Sequence, residues 1–262
     1  MRWLPIAIRT QFYYKFYRNK RSRFANLFDS AELAFAKGVK MRLSPHDEGH
    51  GCIAFTGFYE LPLTRRVVNL AQKGGLFVDV GANYGYFSLL WGAQRKGNRV
   101  IAFEASPRNH DSIEANVSNA GFNEFIDIRR NAVGKESGIM NFSLGPSEQT
   151  GWGGIVLADN QKDSVEVPVV CLDDILKDDV FVDVLKIDIE GADTWALMGA
   201  ERMLRDKKIG RIFYEENRPR MEELGIRVGE TRNFLEDRGY SVSLLDGDSS
   251  LSVAEYEAFP LT

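Results

Sequence analysis

From residue 76 onward, short apolar, β-branched runs alternate with stretches of helical periodicity. Leu76-Phe77-Val78-Asp79-Val80 reads as a buried strand, followed by a glycine turn and a helix over 84–94. A second strand over 99–104 leads to a helix over 107–119, with Pro107 at its start and Gly121 at its stop. A third run over 125–128 follows, and then the rhythm changes. Strand-like runs 139–144 and 164–170 flank a loop that holds Gly145, Pro146, Gly151, Trp152, Gly153 and Gly154. The alternation resumes with a strand over 182–189, a helix over 194–207 and a strand over 211–214. A helix over 231–237 stops at Gly239, and runs 240–245 and 251–259 predict a closing antiparallel pair. Strands alternating with helices imply a mostly parallel sheet covered on both faces. The chain divides into an N-terminal extension, 1–70, and one α/β domain, 71–262.

The chain has 262 residues, 44% of them hydrophobic and 27% charged, enough for a sizeable core. No apolar run approaches the ~18 residues of a membrane span. Disorder, fibre and membrane channel are excluded. Cys52 and Cys171 stand far apart, which suits a reducing compartment and excludes a disulfide framework. The apolar stretch 3–8 is short and contains a proline, so no secretory leader is expected there, and a cytoplasmic location is the expectation.

Charge changes the picture more. Residues 1–28 carry seven cations and no acid, leaving −11 for the rest of a chain whose net charge is −4. An acidic body with a basic head does not suit nucleic-acid binding, which needs cations on the folded surface.

Chemistry concentrates at Val78-Asp79-Val80-Gly81-Ala82-Asn83-Tyr84-Gly85, where a buried strand passes through a glycine turn into a helix. Gly81 allows a sharp turn and close approach of a ligand to the backbone. Open α/β sheets bind ligands at that end of their strands. Glu104, ending the next strand, is placed to accept both hydroxyls of a ribose. The dinucleotide pattern G-x-G-x-x-G is absent, since 81, 83 and 86 are Gly, Asn and Tyr, and no Walker lysine follows Gly85. An acid before the turn and no spare glycine favour adenosine joined to an amino acid, as in S-adenosylmethionine, over a diphosphate. A plain βα turn shaped by Asp79 and its glycines is the structural alternative.

Residues 78–88 with Ile101-Ala102-Phe103-Glu104 resemble the FkbM family of S-adenosylmethionine-dependent methyltransferases. The resemblance continues through Asn131-Ala132-Val133-Gly134, residues 167–174 and 185–193, with Gly57-Phe58-Tyr59-Glu60 upstream, and covers about 50 to 245. It implies a class I methyltransferase, a Rossmann-like seven-stranded sheet, and methyl transfer to a hydroxyl of a sugar or related natural product. By motif position, Asp79, Gly81, Ala82, Asn83, Tyr84 and Gly85 correspond to the methionine end of the cofactor site and Glu104 to the ribose ligand; Asn131 corresponds to the adenine edge or is a turn-forming residue.

Asp188 and Glu190 end the strand in Lys-Ile-Asp-Ile-Glu-Gly, on one face with Lys186. Ionisable groups on so apolar a strand need pairing or a site. Asp188 is the candidate general base or substrate anchor, with Glu190 beside it and Glu215 as a second candidate; a structural lysine–carboxylate network is the alternative. No His/Asp spacing demands a metal. His110 is expected on the surface or in packing, and His46 and His50 either reach the acceptor from a polar loop or lie in an exposed connector, the connector being preferred. Glu60 is the better acceptor-side candidate there. Trp152, between glycines, either stacks on a sugar or adenine or turns into the core. The aromatic, basic head contacts an anionic membrane surface or acidic glycan, or packs on the domain or a second subunit. The packing alternative is preferred. An NAD-dependent oxidoreductase and a non-catalytic scaffold are the rival functions.

Overall fold

The computed structural model describes residues 3–157, 164–246 and 250–261. Its centre is a seven-stranded sheet built from β1 (Leu76–Val80), β2 (Arg99–Phe103), β3 (Ile126–Arg129), β6 (Val184–Ile187), β7 (Ile212–Asn217), β8 (Tyr240–Asp246) and β9 (Val253–Pro260). The order is β8-β9-β7-β6-β1-β2-β3, with β9 antiparallel to both its neighbours and the remaining pairs parallel. The chain leaves β1 for β2 and β3 on one side and later returns to β6 on the other. That reversal opens a crevice at the carboxyl ends of β1 and β6.

Two strands omitted from that count, β4 (Gly138–Ser143) and β5 (Ser164–Val170), pair antiparallel in a smaller sheet with the short strands Ala132–Val133 and Gly154–Ile155. The expected closing pair is present as β8 and β9.

Period-two alternation sorts the core. Phe77, Val184 and Phe213 pack on one face of the sheet with α3 (Leu61–Ala71) and α4 (Tyr86–Gln94). Val78, Val80, Leu185, Ile187 and Ile212 fill the other with Leu197, Met203 and Leu204. Burial on both faces explains why these strands read as continuous apolar runs. On the first face Phe77 stacks on Trp91, with ring centroids 5.1 Å apart. Each such buried aromatic contributes ~1.5–3 kcal/mol of transfer energy.

The expected helix over 194–207 is two helices, Asp193–Met198 and Glu201–Arg205. Asp173 is the cause: its carboxylate accepts from the amides of Arg202 (2.7 Å) and Met203 (3.2 Å), capping the second segment on its own. Gly199 sits at the break, so close to the Gly134 carbonyl that a Cβ would lie 2.1 Å from its oxygen. The helix expected from 107 starts later, as α5 (His110–Asn119), after a turn.

Upstream lie α1 (Ile6–Phe16) and α2 (Glu48–Thr56), with α3 following at residue 61. They share the core of the first sheet face. Phe55 of α2 gathers Tyr13, Tyr17 and Phe24 at 5.3, 5.1 and 5.5 Å between centroids. Part of the aromatic head therefore packs on the domain. Both cysteines are free thiols, Cys52 being buried. No described helix is long and apolar enough to cross a membrane.

Candidate functional site

A cavity of about 430 Å³ occupies the crevice, within the range of ordinary ligand pockets. Its floor is the turn after β1. Gly81 has φ +81°, and a Cβ there would lie 2.0 Å from the carbonyl oxygen of Asp188. Glycine is thus required by the end of β6 as much as by any ligand. Asn83 takes a left-handed φ of +51°, a conformation that Asn tolerates better than most residues. Its amide consequently points at the neighbouring strand's carboxylate.

That carboxylate is Glu104. Its Oε2 accepts from the Asn83 amide at 2.7 Å, and its Oε1 accepts from the Ser106 amide at 2.8 Å and from Asn109 Nδ2 at 3.2 Å. The group lines the cavity but is almost wholly buried. Burial pushes its pKa up to about 7, against the lowering effect of those donors. Two carboxylate oxygens offer about four acceptor directions, and three are used. Beside it, Asn109 also lines the wall, and its buried Oδ1 has no hydrogen-bond partner.

The opposite wall is acidic. Lys186 on β6 pairs in register with Asp79 on β1. Its ammonium hydrogen-bonds Asp188 Oδ2 at 3.2 Å and lies 3.7 Å from Asp79 Oδ1. Burial works against the lysine's charge, but Asp188, Asp79 and Glu60 outweigh it and raise the pKa. Glu190, at φ +54°, accepts from Asn217 Nδ2 at 2.7 Å. Burial, then Asp188 and Asp193, push Glu190 up to about 8. Burial and the same two carboxylates push Glu215 up to about 10. Glu60 is raised by burial and by Glu255 and Asp188. At neutral pH, Glu215 is protonated and Glu190 largely so. Asp188 differs from both in holding a lysine hydrogen bond.

The roof comes from two distant segments. Asp47 caps α2, accepting from the His50 amide at 2.9 Å. Its other oxygen accepts from the Thr150 amide at 2.7 Å and the Thr150 hydroxyl at 3.0 Å, fastening the loop after β4 to α2. Arg108 donates to the Gly145 carbonyl at 2.9 Å at the loop's other end. Trp152 is 58% exposed at the rim and is not turned into the core. The expectation for His50 needs correction. It is buried in α2, its ring tilted against Tyr84 with centroids 4.1 Å apart, because the Asp47 cap turns that stretch into a helix lying on the cavity. Burial lowers its pKa, with Asp47 opposing. His46 is exposed in the connector as expected. His110 is half-buried, its Nε2 3.0 Å from the Glu104 carbonyl.

The cavity brings together Gly81, Ala82, Asn83, Tyr84, Glu104 and Asn131 with Glu60, Trp152, Asp188, Glu190 and Glu215. Asp79 and Gly85 stand outside its wall. Asp79 is fully buried behind it, accepting from Ser88 Oγ at 2.6 Å, and Gly85 faces Ile113. Asp47, Asn109 and Thr150 were not anticipated, and only the less favoured reading of the 46–50 stretch put His50 at the cavity. Only Asn109 left a local trace, in the Ser-Pro-Arg-Asn turn after Glu104. Among the described residues no group of three His, Cys, Asp or Glu is arranged to hold a metal ion.

A model of the methyltransferase FkbM domain matches residues 79–242. No curated protein matches the chain. Among solved structures, methyltransferase FkbM from Methylobacillus flagellatus KT is 20% identical, with a TM-score of 0.47, covering 71% of this chain and 43% of that one. The chain thus spans less than half of that protein's length. A putative O-methyltransferase from Klebsiella pneumoniae is 15% identical, with a TM-score of 0.45, covering 76% of this chain and 80% of its own. A SAM-dependent O-methyltransferase from Thermotoga maritima is 14% identical, with a TM-score of 0.44, covering 78% and 66%.

Proposed function

The chain belongs to the family of methyltransferase FkbM domains, and from that premise we propose that it methylates a hydroxyl of a sugar or related natural product, using S-adenosylmethionine. Glu104 carries the proposal. A buried carboxylate at the end of β2, fixed by three N–H donors and open to the cavity on its remaining side, suits a vicinal diol. The orphaned Asn109 Oδ1 beside it suits an amino or hydroxyl donor of the same ligand. The volume of about 430 Å³ suits a nucleoside-sized molecule. When bound, S-adenosylmethionine supplies an electrophilic methyl group on a positively charged sulfur.

The chain's own residues then have distinct tasks. Gly81, Ala82, Asn83 and Tyr84 line the floor, Glu104 holds the diol, and Asn131 borders the base. Asp79 acts from behind the wall, fixing Lys186. Lys186 in turn holds Asp188 toward the cavity. Asp188 receives the proton of the acceptor hydroxyl as its oxygen becomes bonded to carbon. Glu190 and Glu215, held up to about 8 and about 10, serve as hydrogen-bond donors and acceptors to the acceptor's other hydroxyls beside Glu60, and Trp152 offers a ring at the rim. The roof excludes water. Alignment supplies most of the rate, since the reaction is an in-line displacement. The dinucleotide alternative gains nothing from the turn, where a left-handed Asn stands at 83.

Calorimetric titration with S-adenosylmethionine tests the cofactor, with heat of binding expected at tens of micromolar or below. A panel of sugar and polyol acceptors, read by release of S-adenosylhomocysteine, tests the reaction. A folded sample with no heat, or turnover confined to amine acceptors, would overturn it.

A further inference from the structure

The N-terminal head spends only part of its aromatic and basic residues on the fold. Tyr13 and Phe28 are buried. Arg9 donates to the Leu4 and Thr56 carbonyls, and Arg21 to those of Pro45 and His46. Tyr17 and Phe24 pack in part on Phe55 and Arg18 pairs with Glu48, while most of the remaining described side chains face outward. Ile8, Phe12 and Phe16 recur at intervals of four along α1 and so form one stripe. Its rings continue in contact, Phe16 to Phe12 at 4.6 Å, Phe12 to Tyr17 at 6.1 Å and Tyr17 to Phe24 at 5.6 Å. Trp3 is 81% exposed and Phe16 47%, and Ile8, Phe24 and Leu27 are exposed too. Lys15, Lys20 and Arg23 are exposed on the same segment, with the Lys15 ammonium 5.4 Å from the Phe16 ring centre.

An apolar stripe edged by cations, with no acid before Asp29, complements one kind of surface in particular. We infer that this face of α1 and the turn after it docks on an anionic lipid bilayer. The aromatic rings enter the interface and Lys15, Lys20 and Arg23 meet the headgroups. Folded proteins of net negative charge are repelled by such membranes, so the concentration of seven cations in the head is what orients the approach. The consequence reaches the site. Tyr14 and Arg18, on another flank of the same segment, line the cavity. Docking would hold the cavity mouth within about a helix diameter, ~10–12 Å, of the lipid surface.

Co-sedimentation of the full chain with phosphatidylcholine vesicles, with and without phosphatidylglycerol, tests this. Binding is expected only to the anionic vesicles and should be released by 0.5 M salt. Lys15→Glu/Lys20→Glu/Arg23→Glu should lower the partition coefficient at least about a hundredfold, since each cation contributes roughly fivefold. Trp3→Ser/Phe16→Ser should weaken it without removing the salt dependence. These side chains are exposed, and an unchanged melting temperature certifies the fold. Absence of binding, or equal binding to neutral vesicles, would overturn the inference. So would a dimer in light scattering that Trp3→Ser/Phe16→Ser dissociates, because a second copy would then cover the face. None of these results touches cofactor binding, which is read separately.

Discussion

Glu104→Gln isolates the contact that matters most. The substitution keeps the side chain's shape but replaces a carboxylate oxygen by an amide NH2. That NH2 must face one of three donors, the amides of Asn83 and Ser106 or Asn109 Nδ2. One hydrogen bond is lost within the wall and one charged acceptor is lost to the ligand. A hydrogen bond to a charged group is worth about 1.5–3 kcal/mol, so affinity should fall roughly 10- to 150-fold. The wild-type carboxyl offers a second test, because burial pushes it up to about 7. Only the ionised form can accept from both ribose hydroxyls, so affinity must rise as pH increases through 7. For that pKa the ratio between pH 8.5 and 5.5 is about thirtyfold. Methylthioadenosine is the appropriate probe, since it carries the diol and has no group titrating in that range. Calorimetry at several pH values should give a sloping profile for the wild type and a flat, weak one for Glu104→Gln. A flat wild-type profile, or a variant within about threefold of it at pH 8, would refute the role given to Glu104.

Asp188→Asn should lower kcat by about 10²–10⁴ while leaving the cofactor dissociation constant within about threefold. Equal losses in both would make Asp188 a binding group only. Lys186→Met should destabilise the fold by about 3–5 kcal/mol in urea titrations, because Asp79 would remain buried and unpaired. Lys186→Met/Asp79→Asn should recover much of that loss. In the ligand-free protein, Glu104 and Asp193 at about 7 and Glu190 at about 8 all lie above unfolded carboxyl values. The folded state therefore binds more protons, and stability present at pH 4.5 is lost as pH rises through 7 to 8. The melting temperature should drop by several degrees between pH 5 and pH 8, and a rise would contradict the buried-carboxyl picture.

Much of the frame was legible because it is local. Continuous apolar runs announced β1, β2, β6 and β7, and burial on both faces is what such runs mean. The break in the helix at Gly199 was not legible. Nothing nearby in sequence shows that Asp173 caps the segment from Glu201, and a capping acid 29 residues away leaves no periodic signal.

The same distinction governs the site. Its floor is one turn and its buried acid follows the next strand, so Gly81, Asn83 and Glu104 follow from strand ends and the sheet's reversal. The roof has no such rule. Asp47 reaches Thr150 across 103 residues, and each alone looks ordinary: a helix cap and a loop threonine. What makes them a clasp is that Asp47 has two oxygens, one spent on the His50 amide and the other free to hold a second segment. A cap placed on a solvent-facing helix would leave that oxygen to water. Here it faces a loop whose far end Arg108 secures, so closing the cavity requires no apolar contact between the two segments. The roof is thus fastened to α2 by polar bonds, and the Asp47 carboxylate that makes them is itself buried.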